Sequence, residues 1–325
     1  MVGDSVADIH QSPFTIHNYM KRTAVFIALM LQLVCLAAQQ KETFTYIVRD
    51  SALRLDVWHP EVPRSDRACV VALFGGGFVT GERDNQLQTD IAKLLTARGY
   101  TVVSPDYRLG LKDSAMTASH SSLFKLQELF QWTIDIATED CAAAVAYIVA
   151  NAGKLNINPE RIVLTGCSAG AITVLQLDYC RSNSLPQASP LPEGWTPAAV
   201  VPYAGAIMCK GKPKWNTPPA PTMLMHGTKD KIVAHKRFPP ILSQALYGGA
   251  TVYKQMKKAG YPVWIMRYEG IGHEVASFLP GSVDLLCGFV EQVFNGRRTT
   301  LDATVKDEKL VPTEWTKMNV MDIYK

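Results

Sequence analysis

An apolar run over residues 161–165 leads directly into the motif G-C-S-A-G at 166–170, and residues 171–177 can continue as a helix. At average glycine and serine usage, G-x-S-x-G is expected by chance in about one chain of this length in ten. Chance would rarely also supply a strand before the motif and a helix after it. Small residues around a serine permit the sharp strand-to-helix turn that exposes its Oγ. The pattern therefore predicts a strand–turn–helix unit with Ser168 as a nucleophile.

Two further predicted strands end beside residues that suit the same chemistry. Residues 221–227 form one short apolar run, with Asp230 after it, and residues 263–267 form another, with His273 in the following loop. The chain order Ser168, Asp230, His273 is the order of the α/β-hydrolase triad. Each side chain follows the carboxyl end of a strand, where open parallel sheets place their sites. The three residues are therefore predicted to meet.

Four other polar residues near these motifs are considered for a role in the site. Glu269 and Asp284 are the nearest rivals of Asp230 as the acid. His226 precedes that acid in its own motif and is interpreted as a structural loop residue. Glu274, directly after His273, is interpreted as its solvated neighbour.

A glycine-rich loop predicts where a negatively charged oxygen would be stabilised. The buried-strand run at 68–73 ends in F-G-G-G-F at 74–78. Glycines let backbone amides approach a substrate oxygen without a Cβ in the way. Such a loop acts together with the amide that follows the nucleophile. Gly76, Gly77 and Ala169 are the predicted oxyanion donors.

With these motifs in place, residues 53–294 resemble the α/β-hydrolase esterase and lipase family, in particular the hormone-sensitive-lipase-like carboxylesterases. Five segments carry the resemblance, at residues 74–78, 104–109, 166–170, 226–230 and 273. The resemblance implies a mostly parallel central sheet with helices on both faces. It also implies a serine hydrolase of carboxylic esters that needs no metal or organic cofactor.

Position by position, the resemblance implies Ser168 as the nucleophile, His273 as the base and Asp230 as the orienting acid. It assigns the oxyanion hole to the three amides already predicted. Phe78 and Cys167 flank these groups and are expected to contact substrate. The sequence departs from the family pattern in two places, with Phe74 where the family has His, and Cys167 where it usually has Asp or Glu.

The chain reads as one catalytic domain with a processed leader. Residues 20–38 have the short basic start, apolar run and small-residue end of a secretory signal peptide. We therefore predict residues 1–19 as an upstream tail or mis-start, 39–296 as the hydrolase domain and 297–325 as a C-terminal extension. Secreted or periplasmic localisation follows, without stable membrane insertion after cleavage. A lipid anchor on Cys35 is disfavoured because Val34, rather than a small residue, precedes it.

Charge and cysteine content restrict the partners. The formal net charge is +4 and the basic residues are scattered, which gives no nucleic-acid signal. Loss of Cys35 with the leader would leave six of the seven cysteines, whose spacing fits no metal signature. Cys180 and Cys209 are the one pair considered for a disulfide. The expected partner is a small-molecule or glycan ester.

The remaining segments indicate alternating strands and helices, with two candidate roofs over the site. The roof candidates are 109–130 and the proline-rich stretch 181–219, with Trp195 and Trp215. Strands are predicted at 43–48, 53–58, 101–104 and 198–203, and helices at 84–98, 124–152, 251–258 and 282–294.

A site with little roof predicts a preference for short acyl groups and an alcohol side open to a bulky partner, such as acetyl or feruloyl esters of glycans. Two alternatives remain open. One is a peptidase on the same fold, and the other is a catalytically silent binding protein on a hydrolase scaffold.

Overall fold

The structure is a computed structural model, and it describes residues 41–112, 123–238 and 244–323. The predicted leader, the upstream residues 1–19 and Cys35 lie outside the described residues. Residues 41–325 form a single compact unit.

Within the described residues, nine strands form one sheet, in the order β1-β2-β4-β3-β5-β6-β8-β10-β11. The first edge is antiparallel, because β2 runs against both β1 and β4, and all other neighbours are parallel. This confirms the predicted α/β class and the antiparallel edge. The strands are β1 Lys41–Val48, β2 Ala52–Trp58, β3 Cys69–Leu73, β4 Thr101–Pro105, β5 Ile162–Cys167, β6 Ala199–Tyr203, β8 Thr222–Gly227, β10 Val263–Tyr268 and β11 Thr300–Val305.

Helices cover both faces of the sheet and create two core layers. Alternate residues of the central strands point into different layers, as Val70 and Val71 of β3 do. Strands that are buried on both faces have continuous apolar sequences, which is why β3 and β5 could be predicted from the sequence. The longer helices are α1 Gln86–Thr96, α2 Leu123–Ala150, α3 Ala169–Ser182, α4 Gly249–Lys258 and α5 Val283–Phe294.

Helices α1 and α5 pack on one face, through residues such as Ile91 and Leu286, and the other three pack on the opposite face. The bounds of α1, α2, α4 and α5 agree with the predictions to within two residues, whereas α3 runs five residues beyond its predicted end at 177. The start of α1 has a clear local cause, since the Asn85 side chain caps it by accepting a bond from Gln88 N at 3.0 Å.

A second, two-stranded sheet was not predicted. Strands β7 Ala206–Lys210 and β9 Gln244–Gly248 pair antiparallel, with Met208 opposite Leu246. The strands are separated by more than thirty residues in the chain. Their pairing is therefore a tertiary contact that local patterns do not reveal.

Residues 297–325 differ from the predicted C-terminal extension, because they supply the last strand of the main sheet. Strand β11 pairs in parallel with β10, and Arg267 on β10 binds Asp302 on β11 with Nε–Oδ1 at 2.7 Å. The strand is largely exposed and lacks an apolar alternation, which is why its sequence did not indicate a strand. Two short helices follow, α6 Glu314–Lys317 and α7 Val320–Ile323.

The cysteines at the six described positions are unpaired thiols, which contradicts the disulfide considered between Cys180 and Cys209. The Cys180 Sγ lies 3.8 Å from Gln176 Nε2, and the Cys209 Sγ donates to Gly211 O. Across the part of the chain that is described, every helix is too short or too polar to cross a membrane.

Candidate active site

Ser168 lies at the turn between β5 and α3, with a left-handed backbone (φ 52°, ψ −114°) that L residues rarely adopt. The flanking glycines make the turn possible. A Cβ on Gly166 would collide with the backbone of Gly170, and one on Gly170 would collide with the carbonyl oxygen that ends β3. The Ser168 amide donates to Tyr203 O at 2.9 Å, which ties the turn to β6. The serine side chain therefore stands at the carboxyl edge of the sheet.

A continuous hydrogen-bonded chain joins the three predicted residues. Ser168 Oγ lies 2.8 Å from His273 Nε2, and His273 Nδ1 lies 2.8 Å from Asp230 Oδ2. The carboxylate accepts, so Nδ1 carries the hydrogen and Nε2 is left as the acceptor for the serine hydroxyl. The Asp230 and His273 residues are only 6% and 5% exposed. The imidazole is thus held in the tautomer that can remove a proton from Ser168.

Asp230 is itself fixed by the loop that carries it. Its Oδ1 accepts from the amides of Ile232 and Val233, both at 2.9 Å. His226 supports the same loop, because Gly249 N donates to its Nδ1 and its Nε2 donates to Val233 O at 2.8 Å. Burial lowers the pKa of His226, so the ring is neutral at pH 7. His226 therefore has the structural position that was predicted for it.

The two rival acids lie elsewhere on the surface. Glu269 pairs with Lys306 at 3.0 Å, and Asp284 pairs with Arg98 at 2.6 Å. Both carboxylates are exposed. The structure therefore places Asp230, and neither rival, against the imidazole of His273.

The glycine-rich loop after β3 runs directly past the nucleophile. A Cβ on Gly75 would lie 2.9 Å from Cys167 O and 3.3 Å from Ser168 Cβ. Gly76 and Gly77 have φ values of 125° and 63°, which favour glycine. The loop can therefore pass beside Ser168 with backbone alone.

Phe74, which replaces the family's histidine, holds this loop by aromatic contact. Its ring stacks on Tyr107 with centroids 4.4 Å apart, and Tyr107 Oη donates to Phe74 O at 2.7 Å. Gly81 has φ 118° and packs against the Phe74 ring so closely that a Cβ would collide with it. A different residue type thus fixes the loop.

Phe78 and Cys167, the predicted substrate-contacting residues, both line a cavity that opens onto Ser168. The Phe78 ring packs edge-on against Phe130, with centroids 6.1 Å apart. Burial raises the pKa of the Cys167 thiol to about 12. That thiol therefore stays protonated at pH 7 and does not compete as a nucleophile.

The cavity has a volume of about 1020 Å³, which is large for a single small-molecule site. It contains Ser168 and His273, and its surface is mostly apolar. Representative apolar lining residues are Leu87, Ile172, Ile232, Leu246 and Phe278.

The described parts of the two predicted roofs supply few of the residues that line this cavity. Residues 113–122 of the first candidate, 109–130, lie outside the described residues. The described part of this candidate supplies two lining residues, Gln127 and Phe130. The second candidate, 181–219, supplies Met208 among its lining residues.

The two tryptophans of that second candidate pack away from the cavity. Trp195 Nε1 donates to Pro159 O at 3.1 Å, and Trp215 packs edge-on against two tyrosine rings. The prediction that they roof the site is therefore wrong. Long proline-rich stretches run over surfaces, and this one covers a different surface from the one expected.

A wall of the cavity comes instead from residues 313–323, which we call the 313–323 segment. Trp315 of this segment lies beside the catalytic-base candidate, with its ring centroid 6.1 Å from that of His273 and an interplanar angle of 46°. Met318, Val320 and Ile323 also line the cavity.

Glu274 anchors the 313–323 segment, so the prediction of a solvated neighbour is wrong. The residue is 7% exposed. Its Oε1 accepts from Thr313 N at 2.6 Å, Thr313 Oγ1 at 2.8 Å and Thr316 Oγ1 at 2.8 Å. Its Oε2 accepts from Gly272 N at 2.9 Å. One carboxylate thus joins the His273 loop to the segment.

Comparison with known proteins identifies the family. A model of the carboxylesterase family matches residues 21–184, which is half of the chain. The chain belongs to the carboxylesterase family. Lipase 2 of a Moraxella species is 31% identical over 106 residues of this carboxylesterase-family chain. That match spans 33% of this chain and 20% of the length of Lipase 2.

Solved structures show the same fold. Thermogutta terrifontis esterase 2 phosphoramylated by tabun has a TM-score of 0.57 at 18% identity, covering 78% of this chain and 94% of that protein. The native form of that thermophilic esterase gives a TM-score of 0.56 at 18% identity, over 79% and 93% of the two chains. At this identity the likeness shows the α/β-hydrolase fold of this carboxylesterase-family chain and nothing finer.

Two groups of site residues in this carboxylesterase-family chain were missed by sequence reasoning. One is Glu274 with its two threonine partners, and the other is the apolar set on the 313–323 segment. A weak signal existed, since five of the eleven residues at 313–323 are apolar, namely Trp315, Met318, Val320, Met321 and Ile323. Nothing in that spacing indicated which surface they cover.

Proposed function

We propose that this chain hydrolyses carboxylic esters through a covalent acyl-enzyme on Ser168. The observation that carries this proposal is the hydrogen-bonded chain from Ser168 through His273 to Asp230, which opens into an apolar cavity. Such a chain is the arrangement by which a base activates a serine hydroxyl.

In the first half of the reaction, Ser168 Oγ attacks the ester carbonyl carbon while its proton passes to His273 Nε2. Asp230 stabilises the imidazolium that forms and keeps its orientation. The tetrahedral intermediate collapses when the carbon–oxygen bond to the alcohol breaks, and Nε2 gives its proton to the departing oxygen. Water then repeats the sequence on the acyl-enzyme, which releases the acid and restores Ser168.

The negative oxygen of the intermediate needs donors beside Ser168. We assign this role to the backbone amides of Gly76, Gly77 and Ala169, all of which border the cavity. Loss of one such donor raises the barrier by about 2.7–4 kcal/mol. The reaction as written uses no metal or organic cofactor.

The cavity favours esters that carry at least one apolar group. The expectation of a short acyl group rested on an oxyanion site with little roof, and the described site has walls from several elements. An aromatic acyl group such as feruloyl suits a mostly apolar lining. A sugar hydroxyl placed there would lose its water without gaining a partner, at a cost of roughly 1–3 kcal/mol. Short acyl groups and glycan esters are therefore kept as arms of the substrate test.

The first test is covalent labelling of the purified protein with a fluorophosphonate probe, alongside hydrolysis of p-nitrophenyl esters of two to twelve carbons. We expect labelling and turnover of the wild type, loss of both in Ser168→Ala, and retention of both in the control Ser189→Ala. A protein that neither reacts with the probe nor cleaves esters would support the silent binding alternative. Cleavage of peptide amides in preference to every ester would support the peptidase alternative.

We also propose that the protein is exported and that residues up to about Ala37 or Ala38 are removed. The basic start, apolar run and small-residue end of residues 20–38 support this. N-terminal sequencing of the protein from its native host tests it. An uncut N-terminus, or a lipid on Cys35, would contradict export by this route.

A further inference from the structure

Trp315 places the start of the 313–323 segment beside the imidazole of His273. The Trp315 ring lies 6.1 Å from the His273 ring, and Trp315 remains 46% exposed although it borders the cavity. Its free surface is therefore available to a ligand that enters the site. Met318, Val320 and Ile323 extend the same wall with further apolar residues.

The position of this wall identifies the part of an ester that it would meet. His273 Nε2, which is hydrogen-bonded to Ser168 Oγ, must also protonate the departing alcohol oxygen. The alcohol portion therefore lies on the imidazole side of the scissile bond, whereas the carbonyl oxygen lies toward the backbone donors. Trp315, as a neighbour of the imidazole, is placed to contact the alcohol.

One buried carboxylate bonds the wall to the loop that carries His273. Glu274 accepts hydrogen bonds from the amides and hydroxyls of Thr313 and Thr316. Thr316 Oγ1 also accepts from Gly272 N at 2.8 Å. Hydrogen bonds to a charged acceptor are about twice as strong as neutral ones, so this cluster is the main polar anchor between the segment and the His273 loop.

The segment presents mainly apolar groups to the cavity. Its acidic lining residue, Asp322, accepts a hydrogen bond from Asn319 N at 3.0 Å. An alkyl or aryl alcohol would replace water on Trp315 and its neighbours with favourable apolar contact.

We propose that the 313–323 segment forms an apolar subsite for the alcohol portion of the ester, and that Glu274 is the positioning residue that keeps this subsite beside His273. This inference rests on the proposed ester hydrolysis. It predicts a preference for esters of alkyl or aryl alcohols of about six carbons or more over methyl and ethyl esters.

The first experiment compares Trp315→Ala with wild type on two ester series. One series varies the alcohol (ethyl, hexyl and benzyl acetate), and the other varies the acyl group (ethyl acetate to ethyl octanoate). The variant-to-wild-type ratio of kcat/KM for the same ester cancels the intrinsic reactivity of that ester. We expect a loss of about tenfold on hexyl and benzyl acetate, but less than about twofold along the acyl series. Trp132→Ala, which removes an exposed tryptophan outside the cavity lining, is the control.

An equal loss on both series, a larger loss on the acyl series, or no loss on either would overturn the assignment of the alcohol subsite.

The second experiment tests the anchor with Glu274→Gln and with the double variant Glu274→Gln/Trp315→Ala. If Glu274 acts through the segment, its substitution raises KM for hexyl acetate much more than it lowers kcat for ethyl acetate. The loss in the double variant is then close to that of the larger single variant, because both changes remove the same contact. Hydrogen exchange of the amides in 313–323 should also accelerate in Glu274→Gln.

Additive losses in the double variant, or a fall in kcat that is equal for ethyl and hexyl acetate, would contradict this role. Thr316→Val, which removes a hydroxyl at nearly constant shape, should reproduce the size-dependent KM effect more weakly.

Failure of this inference differs from failure of the proposed function. If Ser168→Ala abolishes hydrolysis and fluorophosphonate labelling while Trp315→Ala leaves both series unchanged, the ester hydrolase stands and the subsite does not. If wild type shows neither hydrolysis nor labelling, the proposed function itself fails.

Discussion

The hydrogen-bonded chain at the sheet edge and the apolar wall beside it are built in different ways. Ser168, Asp230 and His273 follow the parallel strands β5, β8 and β10 of the central sheet, and Asp230 and His273 are buried. The 313–323 segment contains two short, partly exposed helices, whose main polar anchor is Glu274. The central sheet thus positions the proposed reacting groups, whereas a peripheral segment shapes the space around them. Changes in the first region should act on kcat, and changes in the second on KM.

The largest effect is expected for His273→Ala, which removes the proposed base from the sheet edge. In a triad, loss of the base costs about 10⁶-fold in kcat. We therefore expect activity near background at pH 7, with an unchanged thermal unfolding profile. Single-turnover and steady-state hydrolysis of p-nitrophenyl butyrate measure this. More than about 1% of wild-type kcat would show that another group removes the proton.

Asp230→Asn should have the next largest effect. The amide can donate to His273 Nδ1 and so favour the wrong tautomer, which costs roughly 10⁴-fold where it has been measured in a triad. The expected change is in kcat, with KM altered little. Glu269→Gln, which changes an exposed carboxylate in a nearby loop, serves as the matched control. A stronger effect from the control than from Asp230→Asn would reverse the assignment of the acid.

A wall residue from the second sheet should give a smaller effect on a different parameter. Leu246 lines the cavity opposite Met208, and Leu246→Ala would remove apolar contact with substrate without touching the reacting groups. We expect KM for apolar esters to rise by roughly tenfold at similar kcat, the signature of lost uniform binding. Leu301→Ala on the exposed strand β11 is the control. A fall in kcat without a change in KM would show that a cavity-wall residue acts on the chemical step, against the division of roles between the reacting groups and the cavity walls.

The smallest effect concerns the anchor at low pH. Burial by itself would raise the pKa of Glu274, but the hydrogen bonds from its own loop and from Thr313 and Thr316 lower it overall. The stabilisation is therefore present above the unfolded-state pKa of the carboxyl and is lost as the pH falls through the folded-state value. Wild type should lose about 1–3 °C more in unfolding temperature between pH 6 and pH 3 than Glu274→Gln. Parallel curves for the two proteins would show that this carboxylate carries no linked stability.

The predictable parts of the molecule are those whose information is local. The turn around Ser168 needs small neighbours at fixed spacing, and buried parallel strands need unbroken apolar runs. Both patterns can therefore be recognised from the sequence. Strand β11 lacks such a run, because its place at the edge depends on partners such as Arg267 on β10. It could not be recognised without the sheet.

The cavity walls depended on contacts between distant residues. Glu274 and Thr313 are 39 positions apart, and β7 and β9 meet only in the folded chain. Trp195 and Trp215 were expected over the site because they are large and apolar, but they pack elsewhere. Residue type indicated which side chains could line an apolar cavity. Only the tertiary structure shows which of them line it.

The dependence of the His273 loop on residues that follow it has a consequence for synthesis. Ser168, Asp230 and His273 leave the ribosome in that order, and Thr313 and Thr316 emerge about forty residues after the histidine. Until then, Glu274 lacks four of the hydrogen-bond donors that surround it in the finished fold. At about 5–20 residues per second, this delay lasts roughly 2–8 s, during which apolar cavity surface is uncovered on the nascent chain. Between the synthesis of His273 and that of Thr313 and Thr316, a chaperone could therefore bind the exposed apolar surface of the cavity.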